Sequence, residues 1–502
     1  MEDTGRLRKI LDWRARAIVF GDCAASAVDD ELRFQVDIDR AHLVMLVERN
    51  LLPQASARQL LAAIDTLVAQ DFAPLRHRPA PRGSYLLYEQ WLIETLGESI
   101  GGAAHLGRSR NDIAATMLRL RMRPACTCLV RELLRLLVVL IRRGHRYATL
   151  TMPIYTHYQA AAPVTYGHYL AGVALALLRD LQGIEDACHD LDRCPLGAGA
   201  AGGTTVPIDT DRTARLLGFR RGVQHATDAV ASRDGALRLL AATTVLGVTL
   251  SRLAADLLLW STAEFDLVRF PDELVGSSSM LPQKRNPFLL EHIQGRAGAP
   301  LGAFTAATMA MHAKPFSNSV VVGTSGVLPL WKALGDITDA TLLARLMVAG
   351  AGPRGDRMHQ LAADGFTPAT ELANQLVREA GLSFRQAHHR IGELVTIAAG
   401  RGEALEAVAA EFFVSLGLPA DLARTDPGAI GASAAYGGGP ALASLARVLT
   451  DLRKEWSAAA RRLADRRRAW REARRELAAA VEGLRAIVSA PAPTLPSVGA
   501  DR

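Results

Sequence analysis

The sequence predicts an all-α protein built around a bundle of long helices, and three observations predict it. Aromatic residues make up only 5% of the 502 residues while Leu, Ala and Arg abound, a composition that favours helices over sheets. Helical periodicities in the middle of the chain run well beyond the length of an average helix. With 49% hydrophobic residues the chain can also bury a large core, enough for two or three domains.

Residues 1–108 carry shorter amphipathic segments, 40–51 and 56–70, punctuated at Pro74, Pro79 and Pro81; they are expected to form an N-terminal helical cap domain. Residues 109–352 carry the long patterns: 112–146 with a break near Pro124, 164–191, 228–265, 287–311 and 327–348. Each is too long and too apolar on one face to be stable alone, so they should lie side by side. Gly350-Ala351-Gly352-Pro353 closes this central bundle domain. Short helices are expected over 353–455 as a small C-terminal helical domain, then a basic helix and a disordered Pro/Ala/Ser-rich tail over 456–502. No repeat of solenoid period is visible.

The net charge of +7 owes much to Arg461, Arg462, Arg466, Arg467, Arg468, Arg471, Arg474 and Arg475. Interleaved with Ala, Leu and acids, these read as the solvated face of one amphipathic helix. No aromatic platform or groove-reading motif accompanies them, so nucleic acid is not an expected partner. Cys23, Cys126, Cys128, Cys188 and Cys194 form an odd set that matches no zinc spacing, and reduced thiols are expected. Neither a leader pattern nor an apolar run near the ~20 residues of a membrane span is evident. No membrane association and a cytoplasmic location are the expectations.

The densest chemistry lies at Gly276-Ser277-Ser278-Ser279-Met280-Leu281-Pro282-Gln283-Lys284-Arg285-Asn286-Pro287. Three hydroxyls, a cation and a carboxamide precede a helical pattern, with Asn286 placed to cap it and Pro287 at its first position. The unpaired N–H groups and dipole of that helix start would lie beside Lys284, which suits a carboxylate. By itself the segment is equally an ordinary loop opening a helix. Other motifs decide.

The segment resembles the signature of the fumarase/aspartase superfamily, Gly-Ser-Ser-x-Met-Pro-x-Lys-x-Asn-Pro. Aligned without a gap on Lys284, Asn286 and Pro287, the signature's Gly-Ser-Ser falls on Ser277-Ser278-Ser279 and its Met on Leu281. In this register Ser278 occupies the place of the catalytic serine; one inserted residue after Met280 would put Ser277 there. His105-Leu106-Gly107-Arg108-Ser109-Arg110-Asn111-Asp112 is similar to the His-Thr-Gly-Arg-Ser-Arg-Asn-Asp of argininosuccinate lyases. Tyr155-Thr156-His157-Tyr158-Gln159, followed by Pro163, is similar to their Tyr-Thr-His-Leu-Gln…Pro. Further family segments follow in order, so the resemblance covers roughly residues 30–450.

The resemblance implies a three-domain superfamily fold and a homotetramer with a shared bundle core. Its active sites would each draw the three motifs from three different subunits. It implies a small-molecule dicarboxylate substrate and no metal or organic cofactor. Removing a Cβ proton beside a carboxylate builds up a doubly charged aci-carboxylate, so the site must supply a base and fixed positive or N–H charge. Ser278 would be the base, its oxyanion needing the dipoles of a closed loop. His157 would give a proton to the departing group or tune the proton network. Lys284 and Asn286 would hold the developing charge. Ser109, Arg110, Asn111 and Thr156 would bind carboxylates with support from Gln159, and the planar fork of Arg110 suits such a group. Ser109 and Asn111 are also natural helix caps, and both roles can coexist.

Besides Leu106 in place of Thr and the Gly-to-Ser and Met-to-Leu changes in the loop, further departures from the family bear on the leaving group. Tyr85 stands where a His is expected, though Glu89 remains, and Ala160 and Ala162 replace Arg and Gln. Residues 313–320 fall where the family carries Leu-Pro-Leu-Ala-Tyr-Asn-Arg-Asp, with Ser317 at the Tyr. The fumarate half is kept and the amine half is rebuilt. The expected function is therefore β-elimination from an N-substituted aspartate, argininosuccinate or a compound with another nitrogen leaving group. A bundle that has lost turnover is the alternative class.

Overall fold

A computed structural model describes residues 28–80 and 83–486. The long patterns form a central bundle. Helix α4 (Arg110–Arg146) lies against α5 (Tyr166–Ala187) and α10 (Leu328–Gly350), while α7 (Asp234–Trp260) lies against α5, α8 (Phe288–Ala297), α9 (Ala299–Met311) and α10. One continuous core runs through it, from Leu118 and Leu137 on α4 to Leu250 on α7 and Ile337 on α10.

Directions along the bundle follow from specific contacts. Arg121 stacks on Trp331 at 4.1 Å and Arg143 donates to the Ala349 carbonyl at 2.9 Å, so α4 and α10 run in parallel. The Tyr169 hydroxyl near the start of α5 donates to Asp256 near the end of α7 at 2.7 Å, so these two are antiparallel.

Before the bundle, α1 (Arg33–Glu48), α2 (Gln54–Ala69) and α3 (Ser84–Leu96) enclose a second core of Leu43, Leu60, Ile64 and Tyr88. After it, α11 (Gly355–Asp364) leads to α12 (Ala369–Ala380), α13 (Phe384–Arg401) and α14 (Leu405–Ser415). These last three close a third core around Leu376, Leu394 and Phe413.

The final helix, α15 (Leu442–Ala486), is 45 residues long. Its first half packs on α4 and α5. Its second half returns to the N-terminal domain, where Leu477, Val481 and Leu484 join the second core beside α6 (Thr210–Leu216). The expected boundary at 455 falls inside this helix, because one apolar stripe continues through it from Leu445 to Leu484. Of the eight arginines all but the half-buried Arg466 are exposed, as the pattern implied, and the expected disordered tail from Ala490 lies outside the described residues.

Other expectations need correction. Helix α4 continues through Pro124 without a break; packing on both sides of the proline outweighs its local cost of ~3 kcal/mol. The pattern beginning at Val164 starts with strand: β1 (Thr151–Thr156) and β2 (Gln159–Thr165) form an antiparallel hairpin before α5. The 287–311 pattern divides at Gly298 into α8 and α9, and 228–265 divides into Ala226–Ala231 and α7. By length and composition α7 is apolar enough to span a bilayer, contrary to the sequence reading. Its Arg238, Arg252 and Asp256 lie along a helix that packs against four others in the bundle.

Candidate active site

The first motif is held at the start of α4. Ser109 caps the helix: its Oγ accepts the Asn111 N–H at 3.4 Å while Asp112 Oδ1 accepts the Ser109 N–H at 2.9 Å, a capping box. The fully buried Asp112 also accepts N–H groups of Gly197 and Gly199 at 2.9 and 2.8 Å, tying this end of the helix to the 195–199 turn. Behind it, Arg108 is buried in an ion pair with Asp39 at 2.6 Å, and His42 Nε2 meets the Leu106 carbonyl at 2.8 Å. Ser109 and Asn111 are half-buried and Arg110 is exposed on this rigid base. Asn111 Oδ1 accepts a 2.8 Å hydrogen bond from Asn318 Nδ2.

The Tyr85 departure has a partner here. Its hydroxyl lies 2.7 Å from His105 Nδ1 and donates to Glu89 at 3.3 Å, with His105 Nδ1 3.2 Å from the same carboxylate. Burial acts to raise the Glu89 carboxyl, but bonding and charge pairing with His105, helped by Tyr85 and Arg108, hold it below the usual range.

The second motif is the tip of the β1–β2 hairpin. Thr156 pairs with Gln159, and His157 and Tyr158 form the two-residue turn with φ of 52° and 62°. Both therefore sit in the left-handed region that suits Gly or Asn, at a cost of about 1–2 kcal/mol each. Retaining two bulky side chains there points to a use for them. Both project into solvent, Tyr158 at 81% exposure.

The third motif is a loop closed at its neck. Gly276 and Asn286 exchange both backbone hydrogen bonds at 2.8 Å. This pairing removes Asn286 from the expected capping role: α8 begins at Phe288, no side chain caps it, and Pro287 precedes its first residue. Inside the loop, Ser278 Oγ accepts the N–H groups of Met280 and Leu281 at 3.3 and 3.1 Å. Ser278 is half-buried, whereas Ser277 and Lys284 are exposed and Met280 is 85% exposed. Arg285 anchors the base by donating to the Phe270 carbonyl and pairing with Asp272.

One chain cannot bring all three together. Ser109, Arg110 and Asn111 stand at the N-terminal end of α4, whose 37 residues extend about 55 Å. The hairpin is fastened at the other end, where the Tyr166 and Gly167 N–H groups bond to Leu150 and Tyr147 carbonyls. The 276–287 loop belongs to that end too: Leu274 just before it lies against Gly350 at the close of α10, and Phe265 meets the Tyr155 ring at 5.7 Å. Among the described residues no hydrogen bond joins His157 to Ser278 or Lys284. Asn318 is the neighbour that sequence reasoning did not single out; its signal was the Asn retained at the matching place of the Tyr-Asn-Arg-Asp run.

Comparisons with known proteins find matching families, relatives and a solved structure of similar fold. A family described as "Lyase" matches residues 31–302, and one described as "Argininosuccinate lyase C-terminal" matches residues 366–423. The argininosuccinate lyase of Methanothrix thermoacetophila is 36% identical over 361 residues, 72% of this chain and 73% of that protein. That of Methanoculleus marisnigri is 36% identical over 427 residues, 83% and 86% of the two chains. A variant of EDDS lyase with bound fumarate superposes with a TM-score of 0.84 at 28% identity, covering 91% of this chain and 92% of that one.

Proposed function

This chain belongs to the argininosuccinate lyase-like branch of the fumarase/aspartase superfamily, and we propose that it is a carbon–nitrogen lyase acting on an N-substituted aspartate. It would release fumarate by β-elimination. The observation that carries the assignment of the base is the pair of backbone N–H groups aimed at Ser278 Oγ. A serine alkoxide is too basic to persist in water; two fixed N–H dipoles at about 3.2 Å lower its cost as the loop closes. Ser277, exposed and outside this nest, lacks that support.

In the elimination, Ser278 takes the Cβ proton, the C–H electrons form the new double bond, and the C–N pair leaves on nitrogen. His157 supplies the proton that nitrogen needs. Lys284 balances the charge that grows on the carboxylate beside the carbanion. Ser109, Arg110, Asn111 and Thr156 hold the carboxylates, with Gln159 closing the hairpin beneath Thr156. Asn286 acts through the neck of the loop.

The separation along α4 supports a site that draws on more than one copy, and we infer a homotetramer with each site shared among three subunits. Apolar side chains exposed along the bundle support such packing: Val245 and Val248 on α7, Met309 on α9 and Leu328 on α10 are each more than half exposed. Argininosuccinate or a related N-substituted aspartate fits the reading. The side that would meet the leaving nitrogen carries Ser317, Ser319 and Val320 where the family carries Tyr, Arg and Asp, so another nitrogen leaving group fits the reading as well as a guanidine does.

Absorbance in the fumarate band, followed while the protein meets a panel of N-substituted aspartates, tests the function. Turnover of at least one member, lost by more than about 10³-fold in Ser278→Ala and far less affected in Ser277→Ala, is expected. Silence across the panel in both directions overturns it.

A further inference from the structure

The second half of α15 does more than complete a core. Between it, α1, α4 and α6 lies a cleft of ≈ 450 Å³, within the usual range for small-molecule sites. Its floor is apolar, formed by the buried Leu120, Leu216, Leu217 and Leu477, with Phe34 and Trp470 beside them.

Five arginines line the same cleft, Arg123, Arg131, Arg467, Arg471 and Arg474, against a single acidic residue, Asp37. Asp37 lies 4.0 Å from Arg474, and Arg131 leans 3.8 Å towards Glu132. Arg467 and Arg471 make no ion pair among the described residues.

Arg123 is the informative member. It is 6% exposed, its guanidinium sits 4.0 Å from the Phe219 ring and 5.0 Å from Trp470, and it donates only to the carbonyls of Leu217 and Gly218. Its Nε is buried without a hydrogen-bond partner, and among the described residues no carboxylate forms an ion pair with it. A buried cation without a direct ion-pair partner is costly: burial pulls this guanidinium down to about 10, offset only in part by the more distant Asp192 charge. An anion in the cleft would supply what it lacks.

We propose that this cleft binds a small organic anion, a carboxylate or phosphate ester carried on a flat apolar body. The anionic group meets Arg123, Arg467 and Arg471, and the body lies on Trp470 and the leucine floor. The site is distinct from the lyase motifs and is tested without substrate, so it stands or falls independently of that reading.

The probe is 8-anilinonaphthalene-1-sulfonate titrated into the full chain and followed by its fluorescence. Saturable binding of one probe per chain is expected, weakened by salt and at least tenfold weaker in R467A/R471A, with turnover unchanged. Both residues are exposed, and R471E alone serves as a second variant should the double variant melt differently. Displacement by 1-naphthoate, by 1-naphthyl phosphate or by both supports the site and identifies the preferred anionic group. Displacement by neither, equal binding in the variants, or equal binding of neutral N-phenyl-1-naphthylamine overturns it.

Discussion

Asn318 donates to Asn111 across 2.8 Å, joining the segment after α9 to the first turn of α4, 207 positions earlier. The bond orients a carboxamide proposed to grip substrate, and it does so from the 313–320 segment.

Removing it should therefore be read in binding before chemistry. Asn318→Ala is expected to raise KM about tenfold, near the 1.4 kcal/mol upper range for one hydrogen bond, with kcat changed less. A double-mutant cycle with Asn111→Ala should return a coupling of about 1 kcal/mol. Additive effects would show that the two side chains act separately.

Sharing of sites gives a prediction that no single-chain site makes. Ser278→Ala and Asn111→Ala proteins, each impaired alone, should regain activity when unfolded together and refolded as a mixture. Some sites then draw both wild-type residues from different chains. Activity no greater than the two separate preparations combined would place the motifs in one subunit.

The hairpin turn carries strain that can be removed at one position. Tyr158→Gly relieves a non-glycine φ of 62° and should raise the unfolding free energy by about 1 kcal/mol in denaturant titration. If Tyr158 only shapes the turn, kcat/KM stays near wild type. A fall in kcat/KM with rising stability would show that the exposed ring meets substrate or a neighbouring copy.

His42 provides a pH dependence. Burial, then the nearby Arg108 cation, holds its imidazole well below the usual 6.5, so it is neutral in the folded protein. As pH falls below 6.5 the unfolded chain gains a proton there that the folded chain refuses. Stability present at neutral pH is then lost at up to about 1.4 kcal/mol per unit until the folded value is passed. Denaturant titrations between pH 7 and 5 should show a shallower loss in His42→Gln; equal slopes would assign the dependence to other groups.

Much of this was legible in the sequence because it is local. The capping box at Ser109 and Asp112 follows from residue types three apart, and the long apolar periodicities located α4, α5, α7 and α10, with α8 and α9 taken as one. The hairpin was missed because Tyr-Thr-His-Tyr-Gln lacks the Asn-Gly or Asp-Gly that announces such a turn; the only warning was Pro153 and Pro163, which suit strands poorly but helices worse. Asn286 was misread because its partner, Gly276, is non-local, and a backbone pairing across a loop leaves no trace in spacing. The contacts of Arg123 were hidden for the same reason, since Leu217 and Trp470 come from distant stretches.

The length of α15 bears on how the molecule is made. Leu477, Val481 and Leu484 finish the core begun by Val28 and Leu32, and Gln54 bonds to the Leu484 carbonyl at 2.9 Å. Helices α1 to α3 must therefore wait, with their apolar faces unsealed, until some four hundred later residues have been translated. Premature termination within α15 would spare the proposed catalytic motifs yet leave α1 to α3 open to aggregation.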